Sequence, residues 1–219
     1  MSMASLSQGL PDNTTLIAVS KTFPSYAVEQ KYALNQRDFA ENRVQELLQK
    51  QDELKHLEIR WHLIGPLQKN KVNKVVGRVY LFHALDSIEL YEKISEACIK
   101  FSVSQPCLLQ VNISKEDGKS GIIPEEVPAV LNYIRESKKA SCPIWGLMCI
   151  GSDISVAGET VVRDEFSQMQ KLYSEAKNRD GELVLMRYLS MGMSMDYRIA
   201  LEYGSNMIRL GRAFFGDRG

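Results

Sequence analysis

The sequence predicts a single (β/α)8 barrel, and three observations carry that prediction. Short aliphatic and β-branched runs alternate with longer amphipathic stretches almost to the end, the pattern of repeated βα units and a parallel sheet. Eight such runs can be counted, whereas an open doubly wound sheet uses roughly five or six strands. No Ser/Gly/Pro-rich linker divides the 219 residues, which is short for a barrel but sufficient. The expected organisation is a short tail over residues 1–13 and one barrel over residues 14–219.

The eight expected strands cover residues 14–20, 37–40, 58–64, 79–84, 106–113, 144–150, 184–189 and 206–210. Between them, Leu90, Tyr91, Ile94, Ala97, Cys98 and Phe101 recur at three- and four-residue steps, which predicts a helix with one apolar face. Phe166, Met169, Leu172, Tyr173 and Ala176 predict another. Val127, Val130, Leu131 and Ile134 mark a third, with Pro124 suited to its first turn. A short helix is expected over 196–204, with Asp196 as its N-cap and Gly204 as its stop.

Composition narrows the function classes. Lys plus Arg and Asp plus Glu balance at 27 each, so no net basic field recruits nucleic acid or anionic lipid. The segment LQKNKVNKVVGR carries Lys69, Lys71, Lys74 and Arg78 without interleaved aromatics, the pattern of a solvated helix face. Cys98, Cys107, Cys142 and Cys149 lie far apart and form no C-x-x-C pair, so reduced, buried thiols in a cytoplasmic protein are expected, and no metal site. The N-terminus lacks a basic start followed by an apolar block, and no apolar stretch approaches the ~18 residues that span a membrane.

In a barrel the loops after every strand converge on one face, so strand ends can be read together. Lys21 follows the first strand in LIAVSK, and Glu41, Asn42 and Arg43 follow the second. Beyond strand seven, LSMGMSMDY places Ser190 and Ser194 about Gly192 ahead of a helix start. Backbone N–H groups and hydroxyls in that arrangement suit a phosphate, as does Gly211 after strand eight, but tight turns and a helix cap explain the same residues. A lysine at the mouth, partly desolvated and near another cation, would retain free amine able to attack an aldehyde; a solvated strand end is the plainer reading. Alternation puts Met207 and Arg209 on one face of the last strand, either in the lumen or in a structural ion pair. A guanidinium opposite a pyridine nitrogen would keep that nitrogen unprotonated, making the ring a poorer electron sink. His62 and His83 read as packed core imidazoles, and Asp86 and Asn112 as secondary candidates.

The ordered blocks LIAVSKTFP, FAENRVQE, WHLIGPLQKNKV, KSGI, GLMCI, LSMGMSMDY and IRLGRAFFG resemble the motifs of the YggS/PROSC family of pyridoxal 5′-phosphate homeostasis proteins, from about residue 14 onward. The resemblance implies a barrel like the N-terminal domain of alanine racemase, with the cofactor pyridoxal 5′-phosphate held as a Schiff base on Lys21. It further implies Asn42 beside the ring, Arg209 facing the pyridine nitrogen, and Ser190, Ser194, Gly211 and the backbone of Arg212 around the phosphate. Lys119 would belong to a loop near the site. This chain departs from the family pattern at Ala40, Arg43 and Arg212, where Gly, Tyr and Thr are usual, and has a shortened segment before strand one. Arg212 replaces a hydroxyl contact to phosphate by a cation while keeping the backbone N–H.

Two functions follow from the resemblance. One is a carrier that holds pyridoxal 5′-phosphate and hands it to apo-enzymes, acting as a monomer without robust catalysis. The other is an amino-acid racemase using Lys21 as its single base. The chain stops nine residues after Leu210, leaving no room for a second domain of the alanine racemase kind, which favours the carrier.

Overall fold

The computed structural model describes residues 9–216, so part of the expected tail and the last three residues lie outside the described residues. Eight parallel strands close on themselves in sequence order, β1 to β8, as a barrel. They are β1 (Thr15–Val19), β2 (Asp38–Glu41), β3 (Arg60–Leu63), β4 (Leu81–Leu85), β5 (Cys107–Val111), β6 (Ile144–Cys149), β7 (Val184–Ser190) and β8 (Met207–Leu210). Every expected strand is present, with ends displaced by at most two residues: most are shorter where the chain turns into loops, while β2, β4 and β7 each run one residue further than expected.

The helices cover the outside: α1 (Ser25–Tyr32), α2 (Val44–Glu53), α3 (Ile88–Phe101), α4 (Val127–Ser137), α5 (Ile154–Ala157), α6 (Glu159–Lys177), α7 (Tyr197–Glu202) and α8 (Arg212–Phe215). Helix α3 begins where the Ser87 hydroxyl accepts the Leu90 N–H at 3.3 Å, and it buries Leu90, Tyr91, Ile94, Ala97 and Cys98 as their spacing requires. Pro124 opens a separate 3-10 turn, Pro124–Glu126, which leads into α4. The lysines of the KNKVNK segment lie in another 3-10 turn, Lys69–Lys74, of which Val72 is the buried member. No helix among the described residues is long and apolar enough to cross a membrane.

Alternation along the strands sorts side chains between lumen and helix layer. Ile17 pairs in register with Arg209, Val19 with Ala40, and Ala40 with His62. The lumen row therefore contains Ile17 and Val19, Asp38 and Ala40, His62, Met207 and Arg209. The opposite row, including Phe39 and Glu41, packs toward the helices, where Phe39 and Leu47 are fully buried.

The lower lumen holds a polar line rather than an aliphatic plug. Arg60 Nε donates to Asp38 Oδ1 at 2.7 Å, His62 Nε2 lies 3.1 Å from the same oxygen, and His62 Nδ1 lies 2.9 Å from His83 Nε2. An ionised Asp38 takes the His62 Nε2–H, leaving Nδ1 to accept from His83. Burial lowers the pKa of both imidazoles, so they are neutral core groups as their strand positions suggest. All four cysteines are free and buried, although the fold brings Cys107 Sγ and Cys142 Sγ to 3.8 Å despite their distance in sequence.

Candidate functional site

Lys21, Asn42, Ser194, Arg209, Gly211 and Arg212 line one cavity of about 870 Å³ at the C-terminal end of the barrel. They come from the ends of β1, β2, β7 and β8, which the closed sheet places around a single rim. The volume lies in the range of small-molecule sites, ~300–1,000 Å³. Of the seven residues that the family resemblance sets around the cofactor, Ser190 alone is absent from this wall.

Lys21 sits two residues beyond β1 and continues the lumen row of Ile17 and Val19. It is solvent-exposed rather than partly desolvated, because the strand has already ended and the chain turns at this point. Asn42 follows β2 directly and depends on a close approach from the end of β3. A Cβ on Gly65 would stand 2.1 Å from the Asn42 carbonyl oxygen and 2.5 Å from its Oδ1, so the glycine of the HLIGP segment is required to seat Asn42.

Arg209 is in the lumen and forms no ion pair with the described residues. Its guanidinium donates to the Ser190 carbonyl at 2.9 Å, to the Ser190 hydroxyl at 2.7 Å and to the Cys149 carbonyl at 2.8 Å. These bonds fix its plane and use three of the five N–H donors of a guanidinium. All three partners are neutral, and burial lowers its pKa without ending its positive charge. Ser190 is fully buried, and its hydroxyl accepts from Arg209, so it supports Arg209 from below rather than lining the cavity.

The two expected phosphate-competent glycines differ. Gly192 has φ of +97°, and a Cβ would stand 2.7 Å from Ala200 Cβ, so turn geometry and helix approach explain it. Gly211 has φ of −102°, and a Cβ would meet only Val19 O at 3.7 Å and Val19 Cβ at 3.9 Å, both ordinary contacts. On the lumen row of Met207 and Arg209, its missing side chain keeps room in the cavity.

Asp196 does not cap α7 with its side chain, contrary to expectation. Its Oδ1 instead accepts the Met193 N–H at 2.6 Å, closing the loop that presents Ser194, and burial raises its pKa. Sequence reasoning missed the loop after β6, where Ile150, Gly151, Ser152, Asp153 and Ile154 complete the wall. Its position after GLMCI, at another strand end, was the available signal. Glu165 holds that loop by accepting from the Ser152 N–H at 2.8 Å. Lys119 also reaches the cavity, and Asn112 supports its loop by donating to the carbonyls of Glu116 at 3.1 Å and Lys119 at 3.3 Å. Among the described residues, Asp86 accepts only from its neighbour Ser87, at 3.3 Å, and it stands outside the wall.

The model of the alanine racemase N-terminal domain matches residues 3–219. The pyridoxal phosphate homeostasis protein of Helicobacter pylori strain J99 is 39% identical over 203 residues, 92% of this chain and 87% of that protein. The chain belongs to the pyridoxal phosphate homeostasis family. The mouse member of this family is 41% identical over 217 residues, covering 93% of the chain and 76% of the mouse protein. PipY of Synechococcus elongatus PCC7942, solved with pyridoxal phosphate bound, superposes with a TM-score of 0.86 at 36% identity, covering 98% of both chains. Alanine racemase from E. faecalis shares the fold, with a TM-score of 0.70 at 17% identity over 98% of this chain and 56% of the racemase. Within the family's shared barrel, this chain's Arg212 places a guanidinium-bearing residue on the cavity wall.

Proposed function

We propose that this chain binds pyridoxal 5′-phosphate as a Schiff base on Lys21 and serves its intracellular homeostasis, holding it and passing it to apo-enzymes without robust catalysis of its own. The convergence of Lys21, Asn42, Arg209 and Gly211 on one open cavity carries this reading. The cofactor supplies an aldehyde that condenses with a primary amine, with loss of water. Lys21 offers that amine at the rim, where a second incoming amine can also reach it. Arg209, buried and bonded only to neutral oxygens in its three fixed contacts, suits an unprotonated ring nitrogen because two cations at hydrogen-bond distance repel.

Gly211 leaves space for a phosphate, while Ser194 and the Arg212 backbone and side chain offer donors beside it. Transfer to other proteins is supported by the apolar side chains on the cavity wall, where Met195 is 74% and Ile150 39% exposed. Four free cysteines support a reducing, cytoplasmic setting.

The test is to add pyridoxal 5′-phosphate, reduce with borohydride and map the modified peptide. The label is expected on Lys21, and Lys21→Ala should lose both label and yellow colour; scattered labelling of surface lysines would refute the site. The same protein should show no α-proton exchange with a panel of amino acids in deuterium oxide. Exchange abolished in Lys21→Ala would instead establish the racemase alternative.

A further inference from the structure

A second set of charged groups lies immediately behind Lys21, outside the lumen. Glu41, at the end of β2, points toward α2 and is fully buried; Lys50, on α2, is 4% exposed. Lys50 Nζ donates to Glu41 Oε1 at 2.6 Å, to Glu46 Oε1 at 2.8 Å and to the Ser20 carbonyl at 2.8 Å. The Ser20 hydroxyl donates to Glu41 Oε1 at 2.6 Å, and the Thr22 N–H donates to Glu46 Oε1 at 2.6 Å. The cluster therefore holds the residue before Lys21 by its carbonyl and hydroxyl and the residue after it by its amide.

Backbone geometry shows what this grip does. Thr22 has φ of +70°, a left-handed conformation that a β-branched residue adopts at a steric cost. Such a conformation persists when surrounding contacts over-determine it, and strain of this kind clusters at functional positions. Here the Thr22 amide is fixed by Glu46, which Lys50 orients in turn. The turn is held in one shape by charges drawn from β2 and α2, not by its own local preference.

We infer that Glu41, Lys50 and Glu46 are positioning residues that fix the turn carrying Lys21 and so set where its amine meets the cofactor. This rests on the reading of Lys21 as the anchoring amine. None of the three lines the cavity, so their effect reaches the ligand through the backbone at Ser20 and Thr22. Releasing that backbone lets the lysine sample other orientations, and recovering the bound one then costs conformational freedom of about one residue, roughly a tenfold loss of affinity.

The experiment titrates the full chain with pyridoxal 5′-phosphate, followed by absorbance, and maps the borohydride-reduced label in wild type, Lys50→Met, Glu46→Ala and Glu46→Gln. Thermal melts accompany each variant. Lys50→Met and Glu46→Ala are expected to bind roughly tenfold more weakly, with the bound chromophore titrating at a shifted pH, while Glu46→Gln keeps the acceptor for Thr22 and recovers affinity to within about twofold of wild type. The Glu46 side chain is 24% exposed, so Glu46→Ala carries the comparison even where Lys50→Met does not fold. Wild-type affinity and titration in Glu46→Ala, or equal losses in the Ala and Gln variants, would overturn the clamp. A wild-type label absent from Lys21 would overturn the anchoring role and the clamp together, whereas a wild-type label on Lys21 with unchanged variants would overturn the clamp alone.

Discussion

Replacing Gly211 by alanine separates a glycine kept for a ligand from one kept for the fold. At φ of −102°, with Val19 O and Val19 Cβ as the nearest protein atoms at 3.7 and 3.9 Å, the new methyl makes only ordinary contacts in the protein. Stability should stay within about 0.5 kcal/mol of wild type. The methyl does occupy the cavity beside the backbone of Arg212. A phosphate oxygen bonded to a backbone N–H sits ~2.9 Å from the nitrogen, leaving little room for a carbon on the adjoining residue. Loss of one charge-assisted hydrogen bond, about 1.5–3 kcal/mol, corresponds to a roughly 10- to 100-fold drop in affinity. Titration with pyridoxal 5′-phosphate should show that drop, whereas pyridoxal, which lacks the phosphate, should bind nearly as it does to wild type. Gly192→Ala is the control: its Cβ would stand 2.7 Å from Ala200 Cβ at a positive φ, so a stability loss of about 1–3 kcal/mol is expected. Wild-type affinity for pyridoxal 5′-phosphate in Gly211→Ala, or an equal loss for pyridoxal, would refute placement of the phosphate at this glycine.

Ser190→Ala should lower affinity less than about threefold and stability by about 1 kcal/mol, because Arg209 keeps the Ser190 carbonyl when it loses the hydroxyl; a tenfold loss in affinity with unchanged stability would instead make Ser190 a phosphate contact. Glu41 sets a pH dependence. Burial pushes its pKa from 4.5 to about 7, against hydrogen bonds from Lys50 and Ser20. Because the folded state holds this proton more tightly, the contribution to stability is fully present below about pH 4.5 and lost as pH rises through 7. Denaturant midpoints should therefore show wild type losing stability relative to Glu41→Gln between those limits, and parallel profiles for the two proteins would contradict the assignment.

The barrel was legible because its signals are local. Runs such as LIAVS and the apolar face of α3 declare their elements by period, and eight alternations leave few topologies. Short helices were less legible: α1 buries Val28 as its one fully enclosed side chain and has little periodic signature. The loop after β6 escaped because Gly151, Ser152 and Asp153 resemble any turn until the closed sheet brings them to the cavity wall.

Strand ends were readable as candidates, since parity along a strand fixes which side chains share a face; Lys21 with Val19 and Arg209 with Met207 follow from it, whereas the closed sheet decided that the Arg209 face is the lumen. Contacts across strands were not readable. The engagement of Ser190 by Arg209, the dependence of Asn42 on Gly65 and the grip of Lys50 on Ser20 all join residues at least 19 apart. Sequence by itself determined the eight βα units, the barrel they close into and the rim on which Lys21, Asn42, Arg209 and Gly211 had to meet, because hydrophobic period and alternation act over a few neighbouring residues. Only the tertiary structure decided which of two glycines leaves room for a ligand, which serine reaches the cavity and which buried charges hold the lysine's turn, because hydrogen bonds and close approaches depend on ångström distances between strands that no linear pattern encodes.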